Sequence, residues 1–575
     1  MRTSIATVSV SGTLTEKLAA IAAAGFDGVE IFENDLLACP LPPQDVRRRA
    51  ADLGLSIDLY QPMRDFEAMP APDLRRAEHK FRLMERLGAD TLLVCSNVSP
   101  AAIDDDELAA AQLRLLAERA AGHGIRIAYE ALAWGRHVHD YLHAWRIVRL
   151  ADHPNLGTCL DSFHILSRGD DPIGIEAIPG DKIFFLQLAD APRLAMDVLR
   201  WSRHYRCFPG QGGFDLAGLV RHALNAGYAG PLSLEVFNDH FRQADAGRTA
   251  RDGMRSLIGL DQALRGAEHP AVPTGLAFAE LAGGAPVGGM LAALGFARSG
   301  SHPTKPVELW EQGAARLLLN ATGTGPEMIA IGLDSPDPAR AVEHAESLLA
   351  PVLPRERAPG EAPLDAVAAP DGTEIFFCGT AWRGDFGPAA TVPGEITHID
   401  HVALTQPWHH FDEAALFYRS VLGLRPQESV ELPDPYGLLR SRAMATAPAR
   451  DEHGAVRMVL NVAQVGSADP PWQHVALACD DVLAIARRLR ADHPELLLPI
   501  PGNYYDDLEA RHDVDPALRE LGVLYDRDGH GEFLHLYTVT LGRVFFEVVQ
   551  RIGGYRGYGA VNTPVRLAVQ HAGSQ

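Results

Sequence analysis

The pentapeptide Arg126-Ile127-Ala128-Tyr129-Glu130 is a short, β-prone apolar run that ends in a carboxylate. Three later segments, 157–161, 184–187 and 232–235, repeat this pattern, each with one oxygen-bearing side chain at its C-terminal edge. Carboxylate and amide oxygens are the ligands that hard divalent cations prefer. The pattern therefore predicts a cation site whose ligands come from four successive strand ends: Glu130, Asp161, Gln187 and Glu235.

Strand-like and helix-like segments alternate through the first 265 residues. Eight apolar runs are predicted to be strands, at 5–10, 28–32, 55–61, 91–96, 126–131, 157–161, 183–190 and 232–237. Eight β-α units in about this length are typical of an α/β TIM barrel, which builds its site at the carboxyl ends of the strands. A doubly wound sheet is the alternative, but eight evenly spaced strands favour closure.

The rest of the chain has a different organisation. With 575 residues, the chain is long enough for three or four domain-sized units. Residues 266–275 are rich in Ala, Gly and Pro and are predicted to be a linker after a first domain at 1–265. Residues 276–390 and 391–575 each read as strand, helix and further strands, which indicates a duplicated α+β domain of the β-α-β-β-β type.

Composition limits the classes of partner. The formal net charge of −22 disfavours nucleic acid, which requires a basic face. The six cysteines show no Cys-x-x-Cys spacing, so neither a thiolate zinc site nor a redox pair is indicated. The N-terminus lacks a long apolar segment, and no run of about 18 apolar residues occurs. We therefore expect a cytoplasmic protein with no membrane partner, and assembly of identical copies stays open.

The four strand ends carry a family resemblance. Segments 129–132, 160–164, 187–190 and 234–237 resemble the metal-site strands of xylose-isomerase-like barrels, and more closely those of the 3-dehydroshikimate dehydratases in their bacterial two-domain form. The stretch 201–212, Trp-Ser-Arg-His-Tyr-Arg-Cys-Phe-Pro-Gly-Gln-Gly, resembles the substrate loop of that family. The resemblance covers essentially the whole chain.

The resemblance implies a hydro-lyase that converts 3-dehydroshikimate to protocatechuate (3,4-dihydroxybenzoate) in quinate and shikimate catabolism. The implied cofactor is Mg, Mn or Co, which would polarise the ketone so that a base can remove the adjacent proton and an enolate can form. The β-hydroxyl then leaves as water, and aromatisation makes the step effectively irreversible. A sugar isomerase or epimerase that uses the same barrel metal is the alternative.

Five residues are candidates for catalysis and substrate binding. His164 lies three residues after Asp161, and we expect it to be the acid–base group, with Glu130 as its catalytic neighbour. The other role open to His164 is to orient Asp161. Arg206 and Ser202, in the predicted substrate loop, and Arg64, after strand three, are candidates for binding the substrate carboxylate or hydroxyls, although surface ion pairs are the plainer explanation of each arginine.

A second constellation lies in the C-terminal half. His401, His474 and Glu547 each stand in an apolar strand pattern, and the glutamate sits inside Phe-Phe-Glu-Val-Val, where a buried carboxylate requires a partner. Two imidazoles and one carboxylate form the facial triad that suits Fe(II) and also accepts Co, Mn or Mg. The triad therefore predicts a second metal site.

These segments resemble 4-hydroxyphenylpyruvate dioxygenase, most clearly at 547–551 and 557–562. The resemblance implies a vicinal oxygen chelate fold with Mg, Fe or Co in its second copy and a first copy without metal, where Ala277 and Phe278 replace the histidine. We expect no closing helix after Asn562. A dioxygenase acting on an aromatic keto acid and a non-catalytic sensing or assembly module both stay open for this half.

Overall fold

The computed structural model describes residues 1–267, 269, 272–323, 325–387, 392–446, 455–463 and 472–573. The chain forms two compact units, Met1–Ala267 and Glu268–Gln575, which we call the barrel unit and the tandem unit. In the part of the chain so described, no helix combines the length and the apolar composition needed to cross a membrane.

The barrel unit contains eight parallel strands in sequential order, and β1 pairs with β8 to close the sheet. The predicted TIM barrel is therefore confirmed. The strands are β1 Thr3–Ala6, β2 Gly28–Phe32, β3 Ser56–Met63, β4 Thr91–Cys95, β5 Arg126–Glu130, β6 Leu156–Asp161, β7 Ile183–Leu188 and β8 Leu232–Leu234. Ten helices connect or follow them: α1 Leu14–Ala23, α2 Glu33–Leu37, α3 Pro43–Asp52, α4 Leu74–Leu87, α5 Asp106–Ala121, α6 Tyr141–Ala151, α7 Ser162–Ser167, α8 Val198–His204, α9 Leu216–Asn225 and α10 Ala246–Leu264.

The barrel strands are apolar because their side chains are covered on both faces. Every residue of β4 and β6 is buried, as expected for parallel strands with helices outside and side chains inside. The first and last predicted strands were too long. The chain turns into a 3-10 helix at Thr7–Ser9 after β1, and β8 ends at Leu234, so that Glu235 begins the loop at the mouth.

The tandem unit contains two eight-stranded sheets with the same strand order. The first sheet, which we call the first copy, contains β9 Gly275–Ala282, β10 Ala297–Ser301, β11 Val307–Gln312, β12 Ala315–Asn320, β13 Glu327–Asp334, β14 Val352–Leu353, β15 Asp365–Ala368 and β16 Glu374–Cys378. The second copy contains β17 Ile396–Thr405, β18 Arg425–Asp434, β19 Gly437–Ala445, β20 Arg457–Ala463, β21 Gln473–Cys479, β22 Leu524–Arg527, β23 Gly531–Tyr537 and β24 Val544–Gly553.

Each copy is itself two β-α-β-β-β modules joined at their first strands, β9 with β13 and β17 with β21. The sequence predicted one such module in each copy, whereas the structure has two. The helices of this unit are α11 Gly284–Ala293, α12 Pro338–Ser347, α13 Phe411–Leu422, α14 Val482–Asp492, α15 Gly502–Arg511, α16 Ala517–Leu521 and α17 Thr563–Gly573. The expectation of no helix after Asn562 was wrong, because α17 begins at the next residue.

Two histidines pack together between α12 and α13. The rings of His269 and His344 are 4.4 Å apart, and their Nε2 atoms lie 3.1 Å and 3.0 Å from the carbonyl oxygens of Val421 and Ser420. Burial, followed by repulsion from His344, lowers the pKa of His269 to about 4. The buried Nδ1 atom of His269 has no hydrogen-bond partner among the described residues, so a proton there would go unpaired.

We expect acid to destabilise this part of the tandem unit. An unfolded histidine has a pKa of about 6.5, so between pH 6.5 and pH 4 the unfolded state binds more protons and stability falls as the pH falls. The loss, after allowance for solvent screening, is about 1–2 kcal/mol by pH 4.5. This loss of stability is measured by amide hydrogen exchange of α12 and α13 at pH 7.5 and pH 4.5, after correction for intrinsic rates. A His269→Gln/His344→Gln variant should show a flatter profile, whereas His493→Asn, at a histidine whose side chain is 42% exposed, should not.

Candidate metal centres and barrel site

The structure brings the four predicted metal ligands to the carboxyl ends of adjacent strands. Glu130 ends β5, Asp161 ends β6, Gln187 is the penultimate residue of β7, and Glu235 directly follows β8. Strand register aligns Asp161 with Gln187 across β6 and β7. All four side chains are buried. The barrel therefore collects three carboxyl groups and one amide at one mouth, as the strand endings predicted.

Glu130, Asp161 and His164 form the closest cluster of potential ligands in the described barrel. One ligand atom from each lies within 4.8 Å of the other two. His164 Nε2 is 3.6 Å from Asp161 Oδ2 and 4.0 Å from Glu130 Oε1. Glu130 Oε1 is buried without a hydrogen-bond partner among the described residues. An unpaired buried carboxylate oxygen is costly, and this one is oriented as a cation ligand would be.

Arg206 neutralises part of this acid cluster. Its Nη1 atom donates to Asp161 Oδ2 at 2.7 Å and to Glu235 Oε2 at 3.0 Å, and Ser202 Oγ accepts from its Nε and Nη2 atoms at 3.1 Å and 2.9 Å. Both Arg206 and Ser202 are only 1% exposed. The predicted pair of substrate-loop residues thus lies inside the acid cluster, where Arg206 contacts two of the predicted metal ligands.

A second polar layer lies beside the first. Gln187 Nε2 donates to Glu30 Oε2 at 2.6 Å, Gln61 Nε2 donates to the same oxygen at 2.8 Å, and Ser233 Oγ donates to the other oxygen of Glu30. Cys159 Sγ donates to the Gln187 amide oxygen at 3.3 Å. The position of Glu30 near the end of the second predicted strand indicates a hydrogen bond to substrate or to a ligand, and the sequence alone does not decide between the two.

The electrostatics of the site fit a divalent cation. Burial raises the pKa of Glu30 and of Glu130 well above the ordinary value, and nearby carboxylates raise both further. Burial raises the pKa of Glu235 to about 7, although Arg206 lowers it. One guanidinium therefore leaves the acids under-compensated, and a hard cation would relieve their mutual repulsion. The donor set, all oxygen apart from His164, is the kind that Mg or Mn prefers.

The ring of His164 is held in one orientation. Its Nδ1 atom accepts the Ala133 N–H at 3.1 Å, and the Trp134 ring lies 5.0 Å away in an edge-to-face arrangement. Burial lowers the pKa of His164 to about 3, so the ring is neutral near pH 7. The other ring nitrogen, Nε2, lies 3.2 Å from Arg206 Nη2, so N–H donors face both nitrogens of the ring.

Two further arginines face the same mouth. Arg64, which was predicted, directly follows β3 and is half-buried, and no carboxylate lies within 4 Å of its guanidinium among the described residues. Arg203, on α8, was missed. Burial lowers the pKa of Arg203, and the positive charges of Arg64 and Arg206 lower it further. Its place three residues before Arg206 was the sequence signal. A cluster of three guanidiniums suits an anionic substrate.

The predicted triad of the second copy also converges. His401 Nε2 lies 3.2 Å from His474 Nε2 and 3.4 Å from Glu547 Oε2, and His474 Nε2 lies 3.3 Å from that oxygen. Adjacent ligands of an octahedral cation with bonds of about 2.1 Å are separated by about 3.0 Å. The three atoms are therefore close enough together to bind one cation jointly.

Residues that the sequence analysis missed hold these ligands in place. Asp400 Oδ1 accepts from His401 Nδ1 at 2.7 Å, and Arg551 clamps both oxygens of Asp400 at 2.7 Å and 2.8 Å. His535 Nδ1 is 2.6 Å from Glu547 Oε1. Such outer contacts fix the tautomer and orientation of metal ligands. Asp400 could have been found from its position next to His401, but His535 depends on the pairing of β23 with β24.

The fold and the two centres define the class of protein: a xylose-isomerase-like barrel joined to a vicinal oxygen chelate domain. Residues 18–260 match the Xylose isomerase-like TIM barrel family, and residues 398–531 match the Glyoxalase/Bleomycin resistance protein/Dioxygenase superfamily. A solved structure described as a xylose isomerase-like TIM barrel/4-hydroxyphenylpyruvate dioxygenase fusion protein is 44% identical and covers all of both chains with a TM-score of 0.90.

Two curated relatives extend over nearly the whole chain. The 3-dehydroshikimate dehydratase of Pseudomonas putida is 46% identical, and that of Pseudomonas aeruginosa is 47% identical. Each comparison covers 99% of this chain and 98% of the relative. The chain therefore belongs to the 3-dehydroshikimate dehydratase family, and the family resemblance inferred from the sequence is confirmed.

Proposed function

We propose that the barrel unit removes water from 3-dehydroshikimate and yields protocatechuate. The observation that carries the proposal is the convergence of Glu130, Asp161, Glu235 and His164 at the barrel mouth, in a chain that matches dehydratases of this name from end to end. The substrate is a cyclic ketone with a carboxylate and two hydroxyls. Its conversion requires an oxyanion stabiliser, a proton acceptor and a donor for the departing hydroxyl.

Glu130, Asp161, Gln187 and Glu235 would hold a divalent cation, for which we propose Mg, Mn or Co. When bound, the cation would supply Lewis-acid stabilisation to the ketone oxygen as negative charge develops there. The side-chain N–H of Gln187 donates to Glu30. Its amide oxygen accepts only the weak Cys159 Sγ–H among the described residues, so this oxygen would be the ligand atom. Arg206 would share Asp161 and Glu235 with the cation and hold both side chains in one orientation.

Arg64 and Arg203 bind the substrate carboxylate in this proposal. They face the acid cluster, and their charges act on it: Arg64 lowers the pKa of Glu235, and both arginines add to the lowering of the pKa of His164, which burial dominates. Arg206 is less suited to that contact, because its guanidinium already serves Asp161, Glu235 and Ser202. A carboxylate between Arg64 and Arg203 would relieve the repulsion between the two guanidiniums.

The acid–base work is divided between Glu130 and His164. His164 is neutral near pH 7, and its Nε2 atom lies 4.0 Å from Glu130 Oε1, so the two groups can share the proton transfers. Glu130 would give Oε1 to the cation, so the proton would go to Oε2, which accepts the weak Cys95 Sγ–H at 3.4 Å.

The direct test is an assay of the full chain, stripped of metal with a chelator and then supplied with Mg, Mn or Co and 3-dehydroshikimate. We expect an ultraviolet-absorbing catechol acid to form at a rate that depends on the added cation. Absence of an aromatic product with every cation would contradict the proposal. A sugar isomerase or epimerase would instead interconvert ketose or epimer pairs without any change in aromatic absorbance.

For the second copy we propose a metal-binding module that takes Mg, Fe or Co at His401, His474 and Glu547. The cavity at these residues measures about 30 Å³, little more than one water molecule requires, and Tyr558 and Arg566 line it. An aromatic keto acid requires about ten times that volume. The geometry thus favours cation binding over dioxygenation. Oxygen consumption with 4-hydroxyphenylpyruvate and Fe(II) would overturn this choice.

A further inference from the structure

The first copy of the tandem unit contains a cavity of about 340 Å³ that the proposed function does not use. The two copies share one strand order, so β9, β13 and β16 occupy the positions of β17, β21 and β24. The metal-binding copy has about 30 Å³ at the corresponding face, and small ligands occupy pockets of about 300–1,000 Å³. The copy without the metal triad thus has room for an organic ligand.

Strand register identifies what replaced the metal ligands. In the second copy, His401 pairs with Ala476 and Ala476 with Glu547. The corresponding row in the first copy runs from Phe278 through Gly332 to Phe376. A Cβ atom on Gly332 would lie 2.4 Å from the Phe278 ring, so the glycine makes room for that ring. Two aromatic rings, with centroids 5.8 Å apart, therefore stand where a histidine and a glutamate bind metal.

In the neighbouring row of paired residues, the first copy has acidic side chains where the second copy has apolar ones. His474 pairs with Ala403 and Phe545, whereas the corresponding Ala330 pairs with Glu280 and Glu374. Glu280 is 9% exposed and accepts the Asn320 side-chain N–H at 2.8 Å. Burial raises its pKa. A carboxyl group of this kind at the cavity wall accepts a hydrogen bond from a hydroxyl that enters the cavity.

Three cations, Lys305, Arg355 and Arg357, line the cavity together with Glu361, Glu374 and Asp385. The Arg355 guanidinium lies 4.3 Å above the centre of the Phe376 ring, and its only ion pair among the described residues is a long one of 3.8 Å to Glu374. Lys305 is 2.9 Å from Glu361, and that glutamate also accepts the Ala358 N–H and the Thr304 hydroxyl. Asp385 accepts the Ala362 N–H. Arg355, and Arg357 which also lines the cavity, are therefore the cations able to turn toward a bound anion.

We propose that the first copy binds a small hydroxylated aromatic carboxylic acid. Its ring lies on Phe278 and Phe376, its carboxylate pairs with Arg355, and a ring hydroxyl donates to Glu280. None of these groups belongs to the barrel site, so binding requires no turnover. The product of the barrel reaction, 3,4-dihydroxybenzoate, has this chemistry, and the link to that molecule rests on the proposed function.

The test is calorimetric titration of the full chain with 3,4-dihydroxybenzoate in the presence of a chelator, on the Asp161→Asn background to weaken the barrel site. We expect one binding site, weakened at least tenfold by Arg355→Ala and by a smaller factor by Glu280→Gln, which keeps the shape of the side chain. Benzoate lacks the hydroxyls and catechol lacks the carboxylate, so each should bind at least tenfold more weakly than the full acid.

Arg440→Ala is the matched control, because Arg440 also lies over a phenylalanine ring (5.3 Å from that of Phe411) and beside a glutamate, but in the second copy. It should leave binding unchanged. The proposal is overturned if Arg355→Ala binds 3,4-dihydroxybenzoate as tightly as its parent, or if benzoate binds as tightly as the hydroxylated acid. Equal affinity for 3-dehydroshikimate would overturn the aromatic specificity. Intact binding by a chain with native Asp161 that forms no aromatic product from 3-dehydroshikimate with Mg, Mn or Co would refute the proposed function alone.

Discussion

Replacing Asp161 by Asn is expected to lower kcat/KM for 3-dehydroshikimate by at least about 1,000-fold, or about 4 kcal/mol of transition-state stabilisation. The substitution preserves shape, because the amide oxygen of the new side chain can still accept the Phe163 N–H that Asp161 Oδ1 accepts at 2.7 Å. It removes the charge that Arg206 pairs with and that a cation would need. Steady-state rates across Mg, Mn and Co, together with cation affinity, measure the effect.

The control lies in the other metal centre. Glu547→Gln removes the carboxylate that lies close to both His401 and His474. Like Asp161→Asn, it therefore removes one buried charge. We expect dehydration to stay within about threefold of wild type, since all of the acid cluster belongs to the barrel unit. If kcat/KM falls as far in Glu547→Gln as in Asp161→Asn, dehydration depends on the second metal centre. Near-normal turnover in Asp161→Asn would remove Asp161 from the reaction.

Much of the barrel could be predicted because its strands are buried on both faces, so that each reads as an apolar run of the right length. Glu130 and Asp161 were identifiable for the same reason: a charged residue at the edge of such a run is conspicuous. The limits of β1 and β8 were not predictable. Apolar residues such as Val10 and Val236 continue past the last ladder hydrogen bond into buried loops, and sequence pattern does not separate the two.

The parts of the site that were missed depend on contacts between distant segments. The orientation of the His164 ring depends on the Ala133 N–H, from the loop after β5, and on Arg206 Nη2. Glu30 belongs to the site because Gln61, Gln187 and Ser233 converge on it from three other strands. In the tandem unit, the second module of each copy was missed. Its first strand pairs with β9 or β17 across 45 or more residues, and no local periodicity marks that pairing.

Arg206→Met should destabilise the cation-free barrel by about 3–5 kcal/mol, because it leaves Asp161 and Glu235 as uncompensated buried carboxylates. A divalent cation bound by these acids would restore about 2.7 kcal/mol at 100 times its Kd. The readout is amide hydrogen exchange of β5 to β8, with chelator and with added Mg or Mn, since the two units of the chain prevent a single two-state analysis.

A matched variant separates this effect from the ordinary cost of breaking a buried ion pair. Arg255 pairs with Asp252 at 3.0 Å in α10, and both side chains are 3% exposed, but the pair lies outside the acid cluster. Arg255→Met should also be destabilised, and added cation should not restore it. Recovery of Arg206→Met alone would identify the acids around Arg206 as the cation site, since the cation then replaces the charge that the guanidinium supplied. Equal recovery of both variants, or of neither, would contradict the assignment of Asp161 and Glu235 as metal ligands.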